Sequence, residues 1–231
     1  DMIIDESHTV HALVDAIIDV PGEEYDSTVT THFCILSFDL EGNLLKEHLF
    51  PLESWPDRPR EIACSGNYLY ATNDEKLWRI NLSNDHYDIF TLPLLPYTTN
   101  RGRTSDIKCD QKGRVLFSSR VQNESDSVRS EIYRYDEHSG EFEKVLESME
   151  YQKIETGCCQ QPSMFFDENG LLYLVTSFVG SLEVFNPELD NIFSLDEPPI
   201  GDYWYPAWDV AAFDGYVYVL GFADVHVFRW E

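Results

Sequence analysis

Apolar and polar residues alternate with a period of two along most of the chain, in short runs bounded by Gly, Asp, Asn and Ser. Such alternation turns one side of each run toward a core and predicts β-strands. No stretch of useful length carries apolar residues at the period of about 3.6 that a helix requires. One unit recurs: "PREIACSGNYLYATND" (59–74), "TSDIKCDQKGRVLFSS" (104–119), "PSMFFDENGLLYLVTS" (162–177) and "WDVAAFDGYVYVLGF" (208–222). Each is a short apolar strand, a polar turn and an aromatic-rich strand. Gly66, Gly113, Gly170 and Gly215 supply the positive φ that a tight hairpin turn needs, with Asp or Asn close by.

A second hairpin follows each of the first three: "KLWRINLSNDHYDIFTLP", "EIYRYDEHSGEFEKVLE" and "SLEVFNPELDNIFSL". "HFCILSFDLEGNLLKEHLFPL" (32–52) has the same second-hairpin form at the front, preceded by "VHALVDAIIDV", which lacks a clear first turn. A period of roughly 45 residues is that of a four-stranded propeller blade. One blade cannot bury both faces of its sheet, whereas stacked blades bury each against the next. The prediction is an all-β fold, a β-propeller of four-stranded antiparallel blades, with residues 1–231 as one domain of about five blades. The last unit stops at "DVHVFRWE" after its third strand, so "MIIDE" (2–6) is expected to supply the fourth strand and close the ring. Six blades in a longer chain is the alternative.

Composition narrows the partners. Of 231 residues, 42 are acidic and 16 basic, a formal charge of −26. Such a field repels nucleic-acid phosphates and anionic lipid, and favours basic proteins, basic peptides or cations; as a bland alternative it keeps the protein soluble. No apolar run approaches the roughly 20 residues that span a bilayer. The five cysteines (Cys34, Cys64, Cys109, Cys158, Cys159) show no C-x-x-C spacing, and the adjacent pair is too close for an ordinary disulfide. Free thiols, a reducing compartment and a cytoplasmic location are expected, with a removed N-terminal signal left open because the chain begins with Asp1.

The order "GNYLYATNDEKLWRINL", "RTSDIKCDQKGRVLFSSR", "EIYRYDEHSGEFEKVLE", "PSMFFDENGLLYLVTS", "WDVAAFDGYVYVLGF" resembles the gluconolactonase/regucalcin-like (NHL-type) propellers over roughly residues 58–230. The resemblance implies a metal-dependent lactone hydrolase, with Asn and carboxylate side chains at the starts of the inner strands holding one divalent cation. The family's R-x-N-D segment is matched by Arg103, Thr104, Ser105 and Asp106, with Ser105 replacing the Asn. Its P-N-G segment falls on Gln161, Pro162 and Ser163, which puts Pro162 at the Asn position; a shift of one would bring Gln160 or Gln161 in. Asp209 matches the P-D-G segment, and Glu6 is the only counterpart for the first-blade Glu. A hard cation such as Ca²⁺ wants about six to eight oxygens. Proline offers none from its side chain and serine is a weak neutral ligand, so the implied site is degraded. Asp106 then reads either as a catalytic carboxylate or as a group satisfying backbone N–H at a strand entry.

The segments joining successive blades, "PLESWPDRP", "LPLLPYTTNRGRT", "ETGCCQQP" and "PPIGDYWYPAW", are predicted to emerge on one face. They carry Trp55, Tyr97, Tyr203, Trp204, Tyr205 and Trp208, with Arg58, Arg60, Arg101 and Arg103 nearby. These rings either cover blade edges or form an aromatic rim for recognition, since Tyr, Trp and Arg anchor binding hot spots. The loops "VPGEEYDSTVT" and "VQNESDSVRS" are expected to project from the same face. The seven histidines show no ligand spacing and read as structural or exposed.

Two readings stand. The first is a non-enzymatic scaffold, monomeric, that binds a protein or peptide of basic character through the rim residues Trp55, Tyr97, Arg101, Arg103, Tyr203, Trp204, Tyr205 and Trp208. No cofactor is expected in that case. The second is a metal-dependent hydrolase of the lactonase kind with Asp106 and Asp209 as catalytic carboxylates, and Asp209 and Ser105 toward a divalent cation such as Ca²⁺. Carbohydrate binding by the same aromatic residues is a third use of the rim.

Overall fold

The structure, a computed structural model, describes residues 1–5, 7–18, 30–49, 59–73, 76–92, 106–122, 127–136, 138–149, 151–152, 162–176, 181–195, 209–221 and 225–230. It is all-β, and its sheets are the antiparallel blades of a β-propeller. The chain divides into two compact units, 1–92 and 93–231.

The first unit holds two four-stranded sheets in strand order. One is β1 (Met2–Ile4), β2 (Val10–Ile18), β3 (Thr30–Phe38) and β4 (Leu44–Leu49); the other is β5 (Glu61–Ser65), β6 (Tyr68–Thr72), β7 (Lys76–Asn81) and β8 (Tyr87–Thr91). The N-terminal segment corrects an expectation. Met2, Ile3 and Ile4 pair with Ala12, His11 and Val10, so "MIIDE" opens the first sheet and is not the fourth strand of the last. Alternation marks Met2–Ile4 as a strand but does not say which edge it joins. The turn after it decides.

That turn belongs to a device repeated along the chain. Asp5 Oδ1 accepts the N–H groups of Ser7 and Thr9 at 2.9 and 2.8 Å, and Asp5 N–H bonds Thr9 O. Asp110 does the same for Lys112 and Arg114, Asp167 for Asn169 and Leu171, and Asn186 for Glu188 and Asp190. The side chain stands in for a backbone carbonyl and pins the loop. Three residues after each Asx the chain needs a positive φ, supplied by His8, Gly113, Gly170 and Leu189. The first turn, unclear in the sequence, is this device with His8 in place of glycine.

The second unit holds three sheets. The third sheet contains β9 (Asp106–Cys109), β10 (Val115–Gln122), β11 (Ser127–Asp136) and β12 (Glu141–Glu147), and β13 (Tyr151–Gln152) pairs with β11. The fourth contains β14 (Ser163–Phe166), β15 (Leu172–Thr176), β16 (Ser181–Phe185) and β17 (Asn191–Leu195), and the fifth β18 (Asp209–Phe213), β19 (Tyr216–Leu220) and β20 (Val225–Arg229). Asp214 and Gly215 join β18 to β19 with φ of 51° and 74°, the two left-handed residues of a type I′ hairpin. "VQNESDSVRS" is less of a loop than expected, because Val121 and Gln122 still pair with Arg129 and Val128.

Within each unit the core lies between adjacent sheets. In the first, Ile35 packs with Ile62, Leu69, Ala71, Trp78 and Ile80. In the second, Leu116, Ile132 and Leu146 meet Met164, Leu172 and Leu174, while Val175 and Val184 meet Val210 and Val217. Strands β15 and β16 are therefore buried along their whole length, whereas β8, on a sheet edge, alternates between exposed and half-buried. A sheet covered on both faces carries a near-continuous apolar run.

Candidate functional site

Asp106, Ser163 and Asp209 each open the first strand of a sheet in the second unit. They face Ser118, Val175 and Leu220 on the second strands, so they occupy one register position, and β14 packs beside both β9 and β18. The fold thereby gathers three strand starts at one place. Ser163 Oγ lies 2.6 Å from Asp209 Oδ1 and 3.3 Å from Asp106 Oδ2. A hydroxyl has one proton to give; the shorter contact takes it, and Asp106 is left with a minor share.

Asp106 is otherwise engaged. It is 5% exposed; Oδ2 accepts the Met164 N–H at 2.7 Å, and the Lys108 ammonium donates to Oδ1 at 2.7 Å. Lys108 lies two residues further along β9, hence on the same side of the strand, with its head partly in solvent. Asp209 accepts its own neighbour's amide, Val210 N–H, at 2.9 Å.

The same position in the first unit is also acidic. Asp1 precedes β1 and Glu61 opens β5, and Asp1 Oδ2 accepts Ile62 N–H at 2.7 Å. Asp1 thus holds the first strand of the following sheet just as Asp106 does. This is a strand-entry bond made twice, and the "SD" of 105–106 carries the second instance.

The Lys108 ammonium at 2.7 Å offsets the charge on Asp106 and occupies one of its two carboxylate oxygens. Asp209 then contributes one carboxylate and Ser163 one neutral oxygen, well short of the six to eight oxygens that Ca²⁺ wants. Among the described residues, no group of three or more His, Cys, Asp and Glu is placed to share a metal ion. The residues described do not fit the cation that the gluconolactonase resemblance implies.

The register also corrects the motif alignment. Ser163, not Pro162, occupies the position facing Asp106 and Asp209; Pro162 contributes only its carbonyl, which accepts Ser118 Oγ–H at 3.0 Å. Counting back four residues from the turn aspartate would have shown this, since Asp106 precedes Asp110 as Ser163 precedes Asp167. Trp55, Tyr97, Arg101, Arg103, Ser105, Tyr203, Trp204, Tyr205 and Trp208 lie outside the described residues, as do Glu6, Gln160, Gln161, Cys158 and Cys159.

No protein-family model and no curated protein sequence matches the chain. Solved structures do. Virginiamycin B lyase from Staphylococcus aureus is similar at 14% identity over 99% of this chain and 83% of that one, with a TM-score of 0.51. A streptogramin B lyase structure gives 14% identity, 100% and 76% coverage and a TM-score of 0.52. A proposed 6-phosphogluconolactonase from Bacteroides uniformis gives 16%, 99%, 66% and 0.53. The likeness is one of fold. It sets the chain among β-propellers and assigns it to no family.

A second polar constellation went unread in the sequence. In the first unit His11 Nδ1 lies 2.8 Å from Ser37 Oγ, and Nε2 lies 3.1 Å from Asp5 Oδ2. The elements are those of a Ser–His–Asp triad, but the location is not. His11 and Ser37 are 2% and 3% exposed, directly paired across β2 and β3, and no substrate carbonyl can reach that oxygen. The chain of bonds satisfies buried polar groups. Contacts to Thr9 N–H and His11 outweigh burial and hold the Asp5 carboxyl below the usual carboxylate range. Of the thiols, Cys34 is buried and pushed up by burial first and Glu47 second, which makes it inert as a nucleophile.

Proposed function

We propose that the chain is a binding propeller that holds a protein or peptide of basic character through the aromatic segments joining its sheets, and that the cluster at Asp106, Ser163 and Asp209 is architectural. The observation that carries this reading is the Lys108 ammonium at 2.7 Å from Asp106, which balances the one well-buried carboxylate of the cluster. Met164 N–H and the Ser163 hydroxyl engage much of the remaining capacity. The surplus of acid, −26 in all, supports a basic partner, which it would attract over a distance.

The test has two arms. Binding of a Lys/Arg-rich peptide and of a Glu-rich peptide of equal length is measured by fluorescence anisotropy at low and high salt, for the parent and for Trp55→Ala, Trp204→Ala and Trp208→Ala. The basic peptide should bind, weaken with salt, and lose affinity in at least one Trp variant. In parallel, thermal unfolding is followed with EDTA and with Ca²⁺, Mn²⁺ or Zn²⁺. A bound ion at about 100 times its Kd would stabilise by roughly 2.7 kcal/mol. A metal-selective rise in Tm that vanishes in Asp209→Ala would overturn the binding reading.

That outcome would favour metal-dependent lactone hydrolysis. One observation keeps this second reading in play: three inner-strand starts meet at Ser163, in the arrangement that the gluconolactonase resemblance implies. Further oxygen donors would have to come from outside the described residues.

A further inference from the structure

At the other end of β14 from Ser163, the hairpin turns of the fourth and fifth sheets enclose a cavity of about 490 Å³, within the range of small-ligand sites. Its inner wall is aromatic. Phe165 and Tyr173 stand with ring centroids 6.4 Å apart, and Trp230 meets Tyr173 edge to face at 6.3 Å. Phe213, 77% exposed, and Tyr216 form the lip beside the Asp214–Gly215 turn. Asp167, Glu168 and Asp214 also border the cavity, and among the described residues no Lys, Arg or His lines it.

We propose that this cavity binds an organic cation, an ammonium group carried on aliphatic carbon, such as a quaternary ammonium or a methylated amine. Aromatic faces carry partial negative charge and attract a cation whose methyl groups also gain from leaving water. The bordering carboxylates add full negative charge, with no protein cation among the described lining residues to neutralise it. An anionic ligand would be repelled. A neutral apolar ligand would gain nothing from Asp214 or Glu168. The exposed Phe213 ring, which costs free energy in water, would be covered by the bound ligand.

The backbone keeps the lip in place without help from its side chains. Trp230 N–H donates to Gly215 O at 2.7 Å and ties the end of β20 to the β18–β19 turn. Asp167 is locked in its own turn by Asn169 and Leu171. Phe213 and Asp214 can therefore be changed with little risk to folding. Asn tolerates the left-handed conformation of residue 214 as Asp does.

The experiment is isothermal titration of the whole chain with choline, and with 3,3-dimethylbutan-1-ol, its uncharged isostere. Choline is expected to bind, with the alcohol weaker by about tenfold or more. Phe213→Ala and Asp214→Asn should each weaken choline by about three- to tenfold with Tm unchanged. High salt should act in the direction of Asp214→Asn. Equal affinity for the alcohol overturns the proposal, as does the absence of heat with choline up to roughly 10 mM. Wild-type affinity in both variants would place any bound cation elsewhere and overturn it too. Failure here leaves the basic-partner reading intact, because that reading depends on the inter-sheet segments and not on this cavity.

Discussion

The first and fourth sheets begin with the same five-residue turn and put it to different use. Asp5 and Asp167 each pin two backbone N–H groups with one carboxylate oxygen and turn the other toward the second strand. The residue met there, at one register position, is His11 in the first sheet and Tyr173 in the fourth. His11 passes the contact on to Ser37 and the site is sealed. Tyr173 ends the chain with its hydroxyl 3.3 Å from Asp167, and its ring lines the cavity. Burial, with Asp167 second, pushes the Tyr173 phenol up to about 12, so it remains a neutral donor. The repeated turn thus meets two different buried partners on the second strand, one that carries the chain of bonds on to Ser37 and one whose ring lines a cavity.

Removing the carboxylates tests that contrast most severely. Asp5→Ala deprives two turn amides and a buried imidazole of their partner, so a loss of about 2–4 kcal/mol is expected. Asp167→Ala removes the same turn bonds but only a long contact to Tyr173, and should cost about 1–3 kcal/mol. Urea unfolding at neutral pH measures both. Equal losses would mean that the turn dominates and that the identity of the second-strand residue matters little.

The positive-φ residue gives the next effect. Gly170 has φ of 78°, and a Cβ there would come within 2.8 Å of the Gln111 side chain, which donates to Glu168 O. Gly170→Ala should destabilise by about 1–2 kcal/mol. His8 already bears a side chain at φ 61° in the equivalent place, so His8→Gly should change stability by less than about 1 kcal/mol, since relief of strain is offset by a more flexible unfolded chain. Thermal melts of the two variants side by side would show whether the first turn is strained.

Tyr173→Phe deletes only the phenol and should cost about 0.5–1 kcal/mol. A larger loss would show that the Asp167 contact is stronger than its length suggests.

The gentlest probe is pH. His48, 2.8 Å from Asp85, is held below 6.5 mainly by burial, against the opposing pull of Asp85. Its neutral form is favoured in the folded state, so its contribution is full above about pH 6.5 and fades as pH falls below that. Asp5, held below 3.8, contributes fully above that value and loses its contribution as pH falls through its lower folded value. Chemical unfolding from pH 7 downward should show the first loss near the histidine range and a further one in strong acid. Asp5→Asn should reduce the acid part, to which Asp39, Asp85, Asp136 and Glu147, held low by their own hydrogen bonds, also contribute, and leave the His48 part.

Much of this was legible beforehand. Period-two alternation located the hairpins, and glycines 66, 113, 170 and 215 marked their turns, each with positive φ. Ser163 Oγ lies within hydrogen-bond distance of both Asp106 and Asp209, two carboxylates that the motif comparison had singled out. Lys108 was missed although it follows Asp106 by two, because a motif read for metal ligands has no place for a cation. The His11 network was missed because its members come from a turn and two strands whose pairing no local pattern states.

The sequence by itself determined that the chain folds into antiparallel hairpins and, where a glycine marks them, where four of these turn, because this follows from side-chain period and from the residue that best tolerates a left-handed turn. The tertiary structure decided which edge Met2–Ile4 joins, that Ser163 lies between two aspartates, and that Tyr173 and Trp230 line a cavity. The first depends on the turn at Asp5, and the other two on register between strands far apart in the chain. A shift of one residue there reverses which side every group faces, and only the packing of sheet on sheet selects among the registers.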